Sequence, residues 1–113
     1  MTTSFRDQGI DKVVKQVAAS GGWFLITSKD NMVGTLIETG MEAQRLFLKV
    51  REKNIAIHPM SQIIEEAGTY RSLTNVLGIK EPVQFILRTG YVADYLAPVT
   101  LRRSIDKFMV FVA

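Results

Sequence analysis

Apolar positions in the first part of the chain change from the spacing of a helix to that of a strand. The spacing i, i+3, i+4, i+7 predicts a short helix over residues 9–19, with one apolar face made by Ile10, Val13, Val14 and Val17. The glycine pair at 21–22 ends this helix. The apolar run of residues 23–27 that follows predicts a buried strand.

The next stretch predicts the longest helix of the chain. Candidate N-cap residues occur at 28–30, and the helical pattern continues to Lys53. Its apolar residues cover more than one face, which predicts burial on two sides: Val33, Leu36, Ile37, Met41, Phe47, Leu48 and Val50. Gly34 and Gly40 interrupt this helix, and glycine there is most easily explained by a backbone or ligand that packs closely.

Two further strands and one helix are predicted in the second half. Residues 55–58 form a short strand closed by Pro59. A helix covers residues 65–77, and Gly78 is a typical residue to end it. Residues 83–91 give the clearest strand pattern in the chain.

The C-terminal part is less regular. Residues 95–101 are predicted to be a loop, and residues 105–113 fit either the start of a helix or a strand. Short strands interleaved with helices, one of them long and central, predict an α+β domain. At 113 residues, the chain is expected to form a single domain over residues 1–113.

Composition narrows the classes of function. Apolar residues make up 47% and charged residues 22%, as in ordinary globular proteins, and the net charge is +3. This mild basicity suits an anionic ligand but not a nucleic acid. Without cysteine, and with one histidine, zinc–thiolate and histidine-based metal sites are not expected. We expect no membrane segment and no signal peptide, and therefore a cytoplasmic protein.

Four segments, in order, resemble one family of flavoproteins. They are residues 39–48, 54–62, 83–91 and 101–105. They are similar to the central helix, the short strand and turn beside the flavin, the late strand ending in Gly-Tyr, and the C-terminal basic pair of the FMN-dependent nitroreductase-like family. The branch that includes stress-associated flavin-sequestering proteins is the most similar.

This resemblance implies a nitroreductase-like fold, a dimer and one FMN in each cleft between subunits. Such enzymes pass a hydride from NAD(P)H through the flavin to nitro or quinone acceptors. The resemblance places Arg102 and Arg103 at the FMN phosphate, and Pro59, Met60, Ser61 and Gln62 along the isoalloxazine ring. It also implies that the family's N-terminal half, which holds part of the site, is absent, so the partner is a second copy or a separate N-terminal half.

Residue types alone leave alternatives open at each of these positions. Arg102 and Arg103 suit a phosphate clamp or a solvated pair. His58 suits a proton donor, a substrate contact or a structural role. Gly40 and Gln44 lie one turn apart, which suits a subunit interface or an ordinary internal helix.

Three functions follow for the chain as a whole. It contributes to an FMN site in an oxidoreductase, it sequesters flavin without turnover, or it is a non-enzymatic remnant that oligomerises. No catalytic side chain is assigned, because the flavin itself carries the redox chemistry. No pair of carboxylates suggests acid–base chemistry, since Glu65 and Glu66 are adjacent and do not face each other on a helix.

Overall fold

The computed structural model describes residues 2–112, with side chains from Ser4 onward, and has an α+β architecture. Three α-helices alternate with three strands, and two short 3₁₀ helices lie at Ser61–Ile64 and Ile105–Lys107. In chain order the elements are α1 Thr2–Ala18, β1 Gly22–Thr27, α2 Val33–Glu52, β2 Ile55–Pro59, α3 Ala67–Leu77 and β3 Val83–Tyr91. The predicted class and the three strands are therefore confirmed.

The sheet has the order β1-β3-β2, and both pairs are antiparallel. β3 is the central strand and, with nine residues, the longest one, and both of its edges are hydrogen-bonded. Arg88 on β3 lies opposite Trp23 on β1 and opposite His58 on β2. The register shifts at the end of β1, between Ile26 and Thr27.

The sheet lies between α2 on one face and α1 with α3 on the other. Phe85 shares a cleft with Leu36 of α2, whereas the next residue, Ile86, shares a groove with Val13 of α1 and Leu73 of α3. Consecutive residues of a strand point to opposite faces, so these helices pack on opposite sides.

The core is small and centred on β3. Leu87 is fully buried, with 0% of its surface exposed. The other buried apolar residues are Ala43, Val50, Met60, Val83 and Ile86. Most of the apolar residues of α1, α2 and the C-terminal segment lie outside this core.

Two predictions about α2 were wrong. The helix begins at Val33, and no side chain caps it. Ser28 is instead buried and donates its hydroxyl to the Asp30 carbonyl, while the Asp30 carboxylate accepts the Met32 amide in a turn before the helix. The second apolar face is not buried either, because Ile37, Met41 and Leu48 remain exposed. The helix therefore packs on one side only.

Other boundaries confirm or correct the sequence predictions. α1 begins at Thr2, well before the predicted residue 9, because its first two turns are polar and show no apolar period. α3 ends as predicted at Gly78, whose φ of 65° is left-handed. At the C-terminus, residues 105–107 form a 3₁₀ turn, and 108–112 are neither helix nor strand. Residue 113 lies outside the described part of the chain.

The molecule is extended for its size. Its radius of gyration is 17.8 Å, against about 13 Å for a compact domain of this length. Its accessible surface is 9648 Å², against roughly 6,200 Å² for a compact monomer of this mass. The surplus of roughly 3,400 Å² exceeds what one subunit normally contributes to a standard interface. None of the helices described over residues 2–112 has the length and apolarity to cross a bilayer.

The central position of Leu87 makes a prediction for stability. Leu87→Ala is expected to lower the free energy of unfolding by about 2–5 kcal/mol, because it leaves a cavity between the sheet and α2. Leu48→Ala, at a residue of α2 that is 64% exposed, is the matched control and should cost less than about 1 kcal/mol. Urea denaturation followed by circular dichroism measures both. Equal losses at the two positions would contradict the core described above.

Candidate functional site

An apolar groove lies between α1, the sheet and α3. Its cavity volume is about 510 Å³, within the usual range of small-molecule sites. Its apolar walls are formed mainly by Val13 and Val17 of α1, Trp23 and Leu25 of β1, and Leu73 and Leu77 of α3. The groove has the size and surface needed for a planar aromatic ligand.

Two of the four residues predicted along a flavin ring line this groove. Met60, which is buried, and Gln62, which is exposed, belong to its lining, and Gln62 carries the one amide side chain among the described residues that line it. The turn that carries them is fixed to β3, because the Met60 amide donates to the Ile86 carbonyl over 2.8 Å. The Ser61 hydroxyl accepts a hydrogen bond from the Ile86 amide at 3.3 Å. Ser61 thus orients the turn rather than facing the groove.

Pro59, the first of the four residues predicted along the ring, lies at a different cleft on the α2 side of the sheet. It lines that cleft together with Arg51 and Tyr95. The Tyr95 hydroxyl donates to the Ile55 carbonyl, and the Arg51 guanidinium lies 3.4 Å from the centre of the Tyr95 ring. These contacts attach the segment after β3 to the start of β2.

The predicted phosphate residues are placed apart from the turn. Arg102 and Arg103 are exposed in the irregular C-terminal segment. In the described part of the chain, Arg102 donates a hydrogen bond to the adjacent Leu101 carbonyl at 3.3 Å, and neither arginine shares a cleft with residues 59–62. Arg102 follows Tyr95 by seven residues, so an extended chain reaches roughly 25 Å from that attachment point.

His58 has a definite partner that the sequence did not indicate. Its Nδ1 accepts a hydrogen bond from Arg88 Nε at 3.0 Å. Arg88 also donates from Nη1 to the Gln16 carbonyl of α1 at 2.9 Å. Arg88 is the one charged residue of β3, which indicates a polar partner for it but does not identify that partner.

The glycines of α2 show no close approach within the chain. A Cβ built at Gly34 or at Gly40 would meet no atom within 4 Å. Gly40 lies at the edge of the cleft shared by Leu36 and Phe85. The proposed interface role of Gly40 and Gln44 therefore remains a prediction about a second molecule.

Comparisons with known proteins do not identify a function for these residues. In comparisons with protein-family models, with curated proteins and with solved structures, the chain has no significant match. Within residues 2–112, no group of three or more histidine, aspartate or glutamate side chains is arranged to hold a metal ion. The groove and the turn beside it are thus the best-formed candidate site.

The attachment at Tyr95 predicts how the C-terminal segment behaves. Tyr95→Phe removes the hydroxyl that bonds to Ile55 and should raise severalfold the hydrogen exchange of the Val92 amide, which donates to the Asn54 carbonyl, since one hydrogen bond contributes about 1 kcal/mol. Tyr91→Phe, at an exposed tyrosine, is the control and should leave exchange unchanged. Exchange followed by mass spectrometry measures both. Unchanged exchange in the Tyr95 variant would show that this attachment does not hold the segment.

Proposed function

We propose that the chain is a nitroreductase-like domain that contributes to an FMN site for NAD(P)H-dependent reduction of nitro or quinone acceptors. The groove between α1, the sheet and α3 holds the isoalloxazine ring in this proposal. Met60 and Gln62 flank the ring, and the C-terminal segment brings Arg102 and Arg103 toward the phosphate. A second copy of the chain completes the enclosure.

The observation that carries the proposal is the position of the turn at the groove. Two of the residues selected by family resemblance, Met60 and Gln62, line the cavity of about 510 Å³. A flavin ring needs an apolar platform and a few donors at its edge. Trp23 and Leu25 offer the platform, and the Gln62 amide offers a donor. Sequence resemblance and cavity geometry therefore coincide at Met60 and Gln62, but not at Pro59 and Ser61.

The phosphate end of the proposal depends on the C-terminal segment. Arg102 and Arg103 are exposed, and their nearest contact to the folded core along the chain is the attachment at Tyr95. Arginine binds a phosphate group through paired N–H donors, and both side chains are exposed, with Arg102 donating one N–H to the Leu101 carbonyl. The span from Tyr95 allows them to reach a phosphate beside the same subunit or beside a partner.

A second copy is proposed because the chain exposes apolar surface on both the groove and the C-terminal segment. Val13 and Val17 of α1 are 47% and 45% exposed, although they line the groove. Phe108, Val110 and Phe111 are also exposed. Exposed apolar residues in this number are typical of a chain that forms an interface. Symmetric pairing would cover the same surfaces on both copies.

One feature of the groove favours flavin sequestration as a second candidate function. Among the described residues that line the groove, no side chain is titratable. Proton transfer to a reduced acceptor would then depend on solvent or on the partner. A site that encloses flavin without room for nicotinamide would bind the cofactor and not turn over.

Flavin binding tests the proposal directly. FMN titrated into the purified protein should show saturable binding, with a shifted visible absorbance band and quenched fluorescence. Gln62→Ala should weaken FMN binding roughly fivefold, the effect of one lost hydrogen bond. Asn75→Ala, which removes an exposed amide of α3 outside the groove, is the matched control and should bind as the unmodified chain does. Absence of saturable binding would contradict the flavoprotein assignment.

Reduction by NADPH separates the two candidate functions. Under anaerobic conditions, an oxidoreductase should lose its flavin absorbance on addition of NADPH or NADH, and a quinone should restore it. A protein that binds FMN but keeps the oxidised spectrum with both nucleotides is a sequestering module. Absorbance at the flavin band, followed in one anaerobic sample, distinguishes the oxidoreductase from the sequestering module.

A further inference from the structure

Arg88 is a half-buried cation at the centre of the sheet. It lies on the middle strand, between Trp23 of β1 and His58 of β2. Two of its N–H groups have partners, the His58 ring at 3.0 Å and the Gln16 carbonyl at 2.9 Å. The remaining guanidinium N–H groups stay available to a ligand.

The partners of Arg88 are neutral. Within residues 2–112, the ion pairs are Arg45 with Glu42 and Lys49 with Glu52, all on α2. The half-buried Arg88 has no carboxylate among its hydrogen-bond partners. An arginine in such surroundings is well suited to recognise an anion.

Two clefts meet at Arg88. One has a volume of about 190 Å³ and is lined by Ser20, His58 and Gly90 among others. The second is lined by Lys12, Lys15 and Asp11 of α1, and Arg88 and Ala19 belong to both. Three basic side chains and one carboxylate therefore line these two adjoining clefts, which together are called the basic depression. Its net charge is positive.

His58 adds a donor to this depression. Because its Nδ1 accepts from Arg88, the neutral ring carries its proton on Nε2. His58 and Arg88 line the same cleft, so the ring N–H and the free guanidinium N–H groups are available to one ligand. Lysines on α1 supply mobile charges that need no fixed geometry.

We propose that Arg88, His58 and Lys15 bind a phosphate group, either inorganic phosphate or the phosphate of a small phosphomonoester. Arginine pairs with two phosphate oxygens, and a tetrahedral dianion accepts further bonds from the imidazole and the ammonium. The bound anion joins α1 to the sheet, which otherwise meet at Arg88 through the single hydrogen bond to Gln16. This site is separate from the apolar groove and does not require flavin.

The single histidine allows a direct test by NMR. Sodium phosphate is titrated into the protein at fixed pH and ionic strength, with sodium chloride as the reference salt, while the ring resonances of His58 are followed. A saturable shift with phosphate, absent with chloride, is expected. Arg88→Gln should weaken phosphate binding at least about tenfold, because a charge-assisted pair of bonds is lost.

Two surface variants keep the test valid if Arg88→Gln does not fold. Lys15→Gln changes an exposed residue of α1 and should weaken phosphate binding about threefold or more. Lys80→Gln removes the same charge from an exposed position outside both clefts and should bind as the unmodified chain does. No saturable shift in the unmodified protein, or equal affinity in the Lys15 and Lys80 variants, would overturn the proposal.

Competition identifies the source of the phosphate group. If FMN displaces inorganic phosphate and riboflavin does not, the site takes a phosphomonoester, and the flavin phosphate is one such ligand. If neither displaces it, the site binds the free anion. Either result supports the phosphate site, whereas equal displacement by riboflavin and FMN would contradict it, because riboflavin has no phosphate.

Discussion

The hydrogen bonding of β3 to β1 on one edge and to β2 on the other is the interaction on which the rest of the structure depends. It fixes Leu87 in the only fully buried position of the described core. It holds the turn after β2 in place, because the Ile86 backbone bonds to Met60 and Ser61. It also places Arg88 beside His58. The groove, the turn and the basic depression are all consequences of one strand's register.

The sheet leaves much of the apolar surface of the surrounding helices exposed. α1 is joined to the sheet at its C-terminal end, and its apolar residues line a groove that stays open. α2 packs through Ala43 and Val50 and exposes its second apolar face. Hydrophobic burial is the main favourable term in folding, so a chain with this much exposed apolar surface gains stability by association. This exposed apolar surface is the reason for which a second copy of the chain is proposed.

The sequence predicted those parts of the fold that depend on local signals. The strands were found because their apolar runs are bounded by glycine or proline, and the end of α3 because Gly78 supplies a left-handed residue. The start of α2 was missed because Ser28 is used in a long-range contact, with the Gln84 amide donating to its hydroxyl. N-cap preferences depend on residues close in sequence, so they do not indicate that a distant side chain, here Gln84, bonds to the hydroxyl.

The candidate site was likewise predicted only in part. Family resemblance selected Met60 and Gln62, which line the groove, but it could not separate them from Pro59, which lies on the other side of the sheet. Strand alternation places successive side chains on opposite faces, and this becomes informative only when the pairing order is known. The Arg88–His58 pair could not be predicted, because the two residues are 30 positions apart and meet through the register of β2 with β3.

The central claim is that this open fold is completed by a second copy of the chain. Sedimentation-velocity ultracentrifugation of the purified protein at micromolar concentration tests it most directly. If a second copy completes the fold, we expect a species of twice the chain mass of 12.7 kDa that persists on dilution and on addition of FMN. A monomer of 12.7 kDa at this concentration, whether its frictional ratio is that of a compact or an extended molecule, would contradict it.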